Sequence, residues 1–246
     1  MLVARWGAGF LLSVSLLVAQ KSAAQAGPHQ RRRFADGRGR VYYRGPLRVT
    51  LGGGVALYNG DLTSSLGDNF PGLSVSAGLL YRVRPHLLIG TEGSYFRLGA
   101  RDQLPERGLA FQGNNGLGTV FVRYELLHDG SSYATSQGSV PIVQPYLKAG
   151  VGLLLYNPQS YLGTTRPTAG TTYLAPERND YPALAGVLPL AAGLSVRATD
   201  QLRLSLEGAY YFTTTDHLDD VSARGNPAQN DGFGTLELKV EYRVLP

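Results

Sequence analysis

Apolar and polar residues alternate along most of this chain with the period of a β-strand, in which successive side chains point to opposite faces. From Leu47 to Tyr58, Leu47, Val49, Leu51, Val55 and Leu57 share one face, and Arg48, Thr50, Gly52, Gly54 and Ala56 share the other. The last such segment is the sharpest: Leu236, Leu238, Val240, Tyr242 and Val244 alternate with Thr235, Glu237, Lys239, Glu241 and Arg243. Segments from Leu73 to Arg84, Tyr146 to Tyr156, Leu188 to Arg197 and Leu202 to Thr213 repeat the design, and Leu87 to Leu98 and Leu117 to Leu126 carry diluted versions of it. An apolar face backed by a charged one suits a sheet whose outside meets lipid and whose inside holds polar groups.

Eight segments of this kind, each close to the roughly 9 to 11 residues of a tilted transmembrane strand, predict an all-β fold. The expected architecture is an eight-stranded antiparallel up-and-down transmembrane β-barrel. Arg84, Pro85 and His86 make one tight turn and Ala198 to Gln201 another, whereas the loops around Leu62, Gln103, Thr168 and Pro227 are long. Short turns belong on the periplasmic side and long loops outside. The connection from Leu127 to Gln144 breaks this rule, being long on the short-turn side. Tyr58, Tyr95, Tyr156, Tyr210 and Phe212 fall near the outer strand ends, where an interfacial girdle is expected. The same alternation also fits a soluble barrel, in which those aromatics would be packing.

With the apolar faces outward, the interior collects Arg48, Arg82, Arg84, Arg123, Lys148, Arg197, Arg203, Lys239 and Arg243 with Glu92, Glu125, Glu207, Glu237 and Glu241. Eight strands enclose a space just wide enough for side chains, so these charges are expected to pair into a plug rather than line an aqueous pore. Interior carboxylates could also serve a proton relay, but ion-pair networks arise without any catalytic role.

The N-terminus carries the parts of a secretory signal: Arg5, an apolar stretch from Trp6 to Ala19, and small residues at Ala24 and Ala26 around Gln25. We expect residues 1–26 to be a signal peptide, since the apolar run is shorter than a bilayer-spanning helix requires. A basic periplasmic segment, 27–46, follows, with Arg31 to Arg33, Arg38, Arg40 and Arg44. It reads as a solvated tail, the alternative being an arm for lipid headgroups or a partner. The barrel domain then spans 47–246. No cysteine is present, which excludes disulfides, thiolate nucleophiles and zinc-thiolate clusters. The formal net charge is +5. Export argues against nucleic acid as the partner it would otherwise suggest.

Tyr58-Asn59-Gly60-Asp61-Leu62 after the first barrel segment, Arg107 with Leu109 and Phe111, Pro145-Tyr146 through Gly150, Gly152 and Tyr156-Asn157-Pro158, and the run from Thr215 to Ser222 together resemble the small outer-membrane β-barrels of Gram-negative bacteria. Within these the chain is similar to a family of exported barrels known only as a domain of unknown function. The resemblance implies barrel fold and outer-membrane location, and it brings no ligand or reaction.

Candidate chemistry is sparse. Asp216, His217, Asp219 and Asp220 offer oxygen and imidazole ligands for a hard cation, yet their spacing departs from the EF-hand loop, and loop aspartates also cap turns. His217 with Ser222, helped by Asp216 or Asp219, is the pair a lipid hydrolase or acyltransferase of this size would use, without a nucleophile elbow to support it. No cofactor is expected. The reading is therefore a non-enzymatic envelope barrel, contacting outer-membrane lipid and binding a protein partner through its long extracellular loops, of which Gln159 to Gly186 is the longest. A lipid-modifying enzyme and a component of a secretion or envelope-assembly machine are the alternatives.

Overall fold

The alternating segments become strands because each can satisfy its backbone groups only on its neighbours while burying one face. The computed structural model describes residues 33–246, apart from 61, 64, 104–105, 107, 135–139, 222–229 and 246. The signal peptide, His29, Arg31, Arg32, Asp61, Arg107, Ser222 and Pro227 lie outside the described residues. Two short strands, β1 (Arg33–Ala35) and β2 (Val41–Tyr43), pair as an antiparallel hairpin. Eight long strands follow: β3 (Leu47–Asn59), β4 (Gly72–Arg84), β5 (Leu87–Arg101), β6 (Leu109–Glu125), β7 (Val143–Leu162), β8 (Ala183–Arg197), β9 (Leu202–Thr213) and β10 (Gly232–Leu245). They close into an antiparallel barrel in which β10 pairs with both β9 and β3. Closure leaves no strand edge unpaired.

Leu51, Leu73, Ile89, Val120, Leu153, Leu184, Leu206 and Leu238 project outward and exposed, one from each strand, and with their neighbours form a continuous apolar belt. Tyr81, Tyr124 and Tyr242 mark the belt at the end that carries the tight turns, and Tyr95, Tyr210 and Phe212 mark it at the end that carries the long loops. Leu87 lies opposite Tyr124, and the eight residues from there to Tyr95 span roughly 26 Å along β5 at a strand's rise per residue.

Two expected girdle members are corrected: Tyr58 and Tyr156 sit inside the barrel, almost fully buried. Their height along the strand is as expected, but each follows an outward residue, Leu57 and Leu155, and the two-residue period turns them inward. Strands β6 and β7 also outrun their predicted lengths, remaining paired from Leu109↔Leu162 to Glu125↔Tyr146. Gly113, Asn114, Asn115 and Gly116 carry no apolar signal, yet they pair in register with Pro158, Asn157, Tyr156 and Leu155.

Glycines on two strands make room for rings on their neighbours. Tyr146 pairs with Gly193, where an added Cβ would meet the ring at 2.4 Å, and Phe121 stands against Gly90 in the same way at 2.5 Å. These fits fix register by shape as well as by hydrogen bonds.

The basic N-terminal segment is a further correction. Residues 33–46 are a folded hairpin rather than a solvated tail, because Asp36 closes its turn, accepting from the backbone N–H groups of Arg38 and Arg40, both at 2.9 Å. Gly39, at φ 75°, takes the left-handed conformation this turn needs. Tyr42 is buried and bridges Tyr133, while Ala134 N–H donates to the Val41 carbonyl and Gly45 N–H to that of Arg82, each at 2.9 Å. The described residues 127–134 of the long connection thus have a structural role, since Tyr133 and Ala134 hold the hairpin at the turn end of the barrel.

Candidate functional site

The barrel interior is layered. At the turn end, Arg82 on β4 holds Glu125 on β6 at 2.7 Å, and Arg48 on β3 lies 3.3 Å from Glu241 on β10. Arg123 on β6 reaches Glu241 at 2.5 Å, and the Ser205 hydroxyl donates to the same carboxylate at 2.7 Å. Above this, Lys148 on β7 and Lys239 on β10 share the carboxylates of Glu92 and Glu207, at 3.0 and 2.9 Å from Lys148 and 2.6 and 2.8 Å from Lys239. Glu237 accepts from Ser74 and Ser76, and the Tyr146 hydroxyl donates to Glu207. Arg123 stacks over the Tyr146 ring at 3.6 Å.

Three residues expected in this network lie elsewhere. A register shift between Arg82 and Arg84 turns Arg84 out of the interior, and it is exposed. Arg243 pairs opposite Arg48, before the shift that separates it from Leu245, and is half-buried with no ion pair among the described residues. Arg197, the last residue of β8, pairs with Asp200 in the adjacent turn. Strand alternation cannot announce a bulge, so parity misplaces Arg84, whereas Arg197 and Arg243 keep their parity and stand at strand ends outside the ion layers.

One interior acid was missed. Asp129, in the long connection, caps a short helical turn (Gly130–Ser132), accepting from Ser131 N–H at 3.0 Å. Its other oxygen lies 3.4 Å from Arg82 and 3.5 Å from Arg203. Burial opposes its charge, but Ser131 and the charge of Arg82 hold the carboxyl below the usual range. With Asp129 the set is balanced: Arg48, Arg82, Arg123, Lys148, Arg203 and Lys239 face Glu92, Glu125, Asp129, Glu207, Glu237 and Glu241. An ion layer without net charge can be dry, whereas uncompensated charge there would demand water.

Toward the loop end the lumen turns apolar. Phe233 stacks between Phe96 and Tyr211, with ring centroids at 4.7 and 4.5 Å, and Tyr58 meets Phe111 edge-on at 4.8 Å. Leu62, Leu98, Leu154, Leu218 and Val221 complete this cluster. Parity puts Tyr211 on the same face as Arg203, Ser205 and Glu207, and by the same count Phe96, Phe111 and Phe233 face inward, a layer that a list of interior charges leaves out.

The acidic loop lies directly above. Asp219 and Asp220 are buried and turn to different partners. Tyr58's hydroxyl stands 2.7 Å from Asp219 and 2.6 Å from Asp231, whereas Asp220 accepts from the Ser160 hydroxyl at 3.1 Å and from Glu177 N–H at 2.8 Å. Asp216 and His217 are partly buried. Among the described residues no three or more acidic or histidine side chains converge as a metal cage. Ser222 lies outside the described residues, so its pairing with His217 has no geometry here.

Residues 163–182 fold back on this rim. Leu174 N–H donates to the Ser160 carbonyl, and the Tyr181 ring meets Tyr156 edge-on at 5.9 Å. Burial and the charge of Asp220 push the Tyr181 phenol up. A pocket of about 270 Å³ remains, lined by Asn157, Gln159, Tyr173, Arg178, Tyr181 and Asp220 among others.

No family model and no curated protein matches the chain. Among solved structures it is similar to Neisserial surface protein A, which is 16% identical with a TM-score of 0.48, the match covering 82% of this chain and 99% of that one. It is also similar to Ail, the attachment invasion locus protein of Yersinia pestis, solved with the heparin analogue sucrose octasulfate, at 12% identity and a TM-score of 0.44 over 80% of this chain and 97% of that one. The outer membrane enzyme PagL is a third, at 13% identity and a TM-score of 0.38 over 80% and 99%.

Proposed function

We propose that this protein is a non-conducting, non-enzymatic barrel of the bacterial outer membrane, an envelope scaffold whose working surface is its loop end. One observation carries the reading: a continuous outward apolar belt, edged by tyrosines, surrounds a lumen filled by balanced charge below and stacked rings above. A water-soluble barrel would bury its apolar faces and expose its charges, so the inversion favours lipid as the surrounding solvent. Ion pairs around Lys239 and stacked rings around Phe233 occupy successive levels of a barrel only wide enough for side chains, which argues against transport. The folded-back segment 163–182 and its pocket supply a shaped surface for a partner, held on a rigid wall.

Fractionation tests the first half of this proposal. The protein is expected in outer membranes, resisting salt extraction and migrating faster on a denaturing gel when unboiled. In planar bilayers it should pass no steady current. Recovery as a soluble periplasmic protein would overturn the membrane reading, and a stable conductance would overturn the closed lumen.

A further inference from the structure

The barrel wall has a gap at the loop end, and the pocket lies in it. Strand β7 pairs with β8 only as far as Tyr156↔Ala183. On that same side it next meets the returning segment, where Leu174 N–H donates to the Ser160 carbonyl at 2.9 Å and Tyr173 bridges Tyr161. Residues 157–159 keep their partners on β6 but face no strand across the gap. By alternation the backbone of Pro158 points into the gap, as that of Ser160 points to Leu174, and a proline has no N–H to leave unpaired there. The pocket is lined by 157–159 from β7 and by Tyr173, Arg178, Asn179 and Tyr181 from the returning segment. Asp220 enters it from the loop above. This side chain is buried and fixed by the Ser160 hydroxyl at 3.1 Å and Glu177 N–H at 2.8 Å. At φ 59°, Asp220 is the one non-glycine residue in the left-handed region among the described residues, a conformation that persists where its surroundings hold it and that gathers at ligand sites. Asn157, Gln159 and Asn179 are exposed, and their carboxamides have no hydrogen bond among the described residues. Arg178 is already committed, its guanidinium holding the Asp180 carboxylate at 2.8 and 2.5 Å.

We infer that this pocket binds the end of a neutral oligosaccharide. The inference rests on the reading of the loop end as the working surface. A sugar hydroxyl both donates and accepts a hydrogen bond, and so does each of the three unengaged carboxamides. A carboxylate has about four acceptor positions, so Ser160, Glu177 and the Tyr181 phenol leave Asp220 able to accept from a ligand. A sugar ring also presents a face of C–H groups that packs on an aromatic ring, and Tyr173, 45% exposed, offers one. Charge decides against an acidic or sulfated sugar, because the local cation is paired and Asp220 repels a second anion. At about 270 Å³ the pocket falls below the roughly 300 to 1,000 Å³ of drug-sized clefts, so it takes a chain end and not a length of polymer.

The test applies the full chain, folded in detergent micelles, to an array of neutral, acidic and sulfated oligosaccharides. Neutral glycans that share a terminal sugar should be retained, and acidic and sulfated ones should not. The best-retained neutral glycan is then titrated in solution against variants, each verified by a heat-modifiable band. Asn157→Ala with Gln159→Ala removes no internal hydrogen bond and should weaken binding about fivefold for each bond lost to the sugar. Tyr173→Phe keeps the ring face and should keep most of the affinity, whereas Tyr173→Ala should lose it. No retained neutral glycan, a preference for acidic or sulfated ones, or an affinity indifferent to these variants overturns the site. Capture of an extended unglycosylated peptide in place of the glycans would assign the gap to strand addition and sink the proposal. The retained glycan should also label intact cells that carry the protein. Labelling only after the cells are permeabilised would put the loop end on the periplasmic side, overturning instead the reading beneath.

Discussion

Lys239 and Glu92 meet at 2.6 Å across the lumen, although 147 residues separate them in sequence. The contact joins the last strand to the third of the barrel, β5, and Lys148 and Glu207 close the group around it. Removing one member of a buried ion set leaves a partner uncompensated, at a cost of about 3 to 5 kcal/mol. Lys239→Met should destabilise the vesicle-inserted barrel by that order in urea unfolding. Adding Glu92→Gln restores the balance of charge, and the double variant should be more stable than the single one. Equal or additive losses would show that the two groups do not act together.

The outer face tests the solvent. Leu238 lies in the middle of β10, 70% exposed and flanked by Leu236 and Val240 on the same face. Leu238→Lys should cost about 2 to 4 kcal/mol if that face meets the bilayer interior. In water, the same change on an exposed leucine would be nearly neutral. Unfolding of the variant in vesicles against the parent separates these outcomes.

At the turn end, the depressed titration of Asp129 has a defined consequence for acid stability. A carboxyl whose pKa is lowered by folding contributes stability above its unfolded value, near 4, and loses that contribution as pH falls through its folded value. The parent should therefore exceed Asp129→Asn in stability at neutral pH, and the gap should narrow as pH drops below about 4. A gap independent of pH would mean that the cap acts by shape alone. Urea midpoints for both proteins across this range give the answer.

The aromatic layer is the other seal. Phe233→Ala removes the central ring of the Phe96, Phe233 and Tyr211 stack and should destabilise the barrel by about 3 to 5 kcal/mol. The ion layer beneath should still block steady current, so conductance recordings are expected to stay silent. An open channel in this variant would locate the whole seal in one ring.

Strand number, closure and the identity of most interior charges were legible in the chain because β10 and β9 alternate without interruption. What escaped has separable causes. Alternation counts residues, so the bulge between Arg82 and Arg84 displaces Arg84 invisibly. Tyr58 and Tyr156 were read by height and not by face. The polar stretch from Gly113 to Gly116 pairs beyond the belt, where an apolar face is no longer required. Asp129 belongs to a connection, and no periodicity tells which loop residue reaches into a lumen. The partition of the acidic loop between Tyr58 and Ser160 depends on contacts about 160 and 60 residues away in sequence, which local pattern cannot hold.

Strand β10 has a consequence for how the chain must be assembled. Glu237, Lys239 and Glu241 are three of its inward residues, and they complete ion pairs or hydrogen bonds for Ser74, Ser76, Glu92, Arg48 and Arg123. A strand that follows the other seven of the barrel in the chain thus supplies the counter-ions for strands that precede it. A chain arrested before β10 would carry two open edges and an unbalanced interior, so partial barrels are poor resting states in lipid. Insertion is thereby coupled to the arrival of β10, through electrostatics as much as through strand pairing.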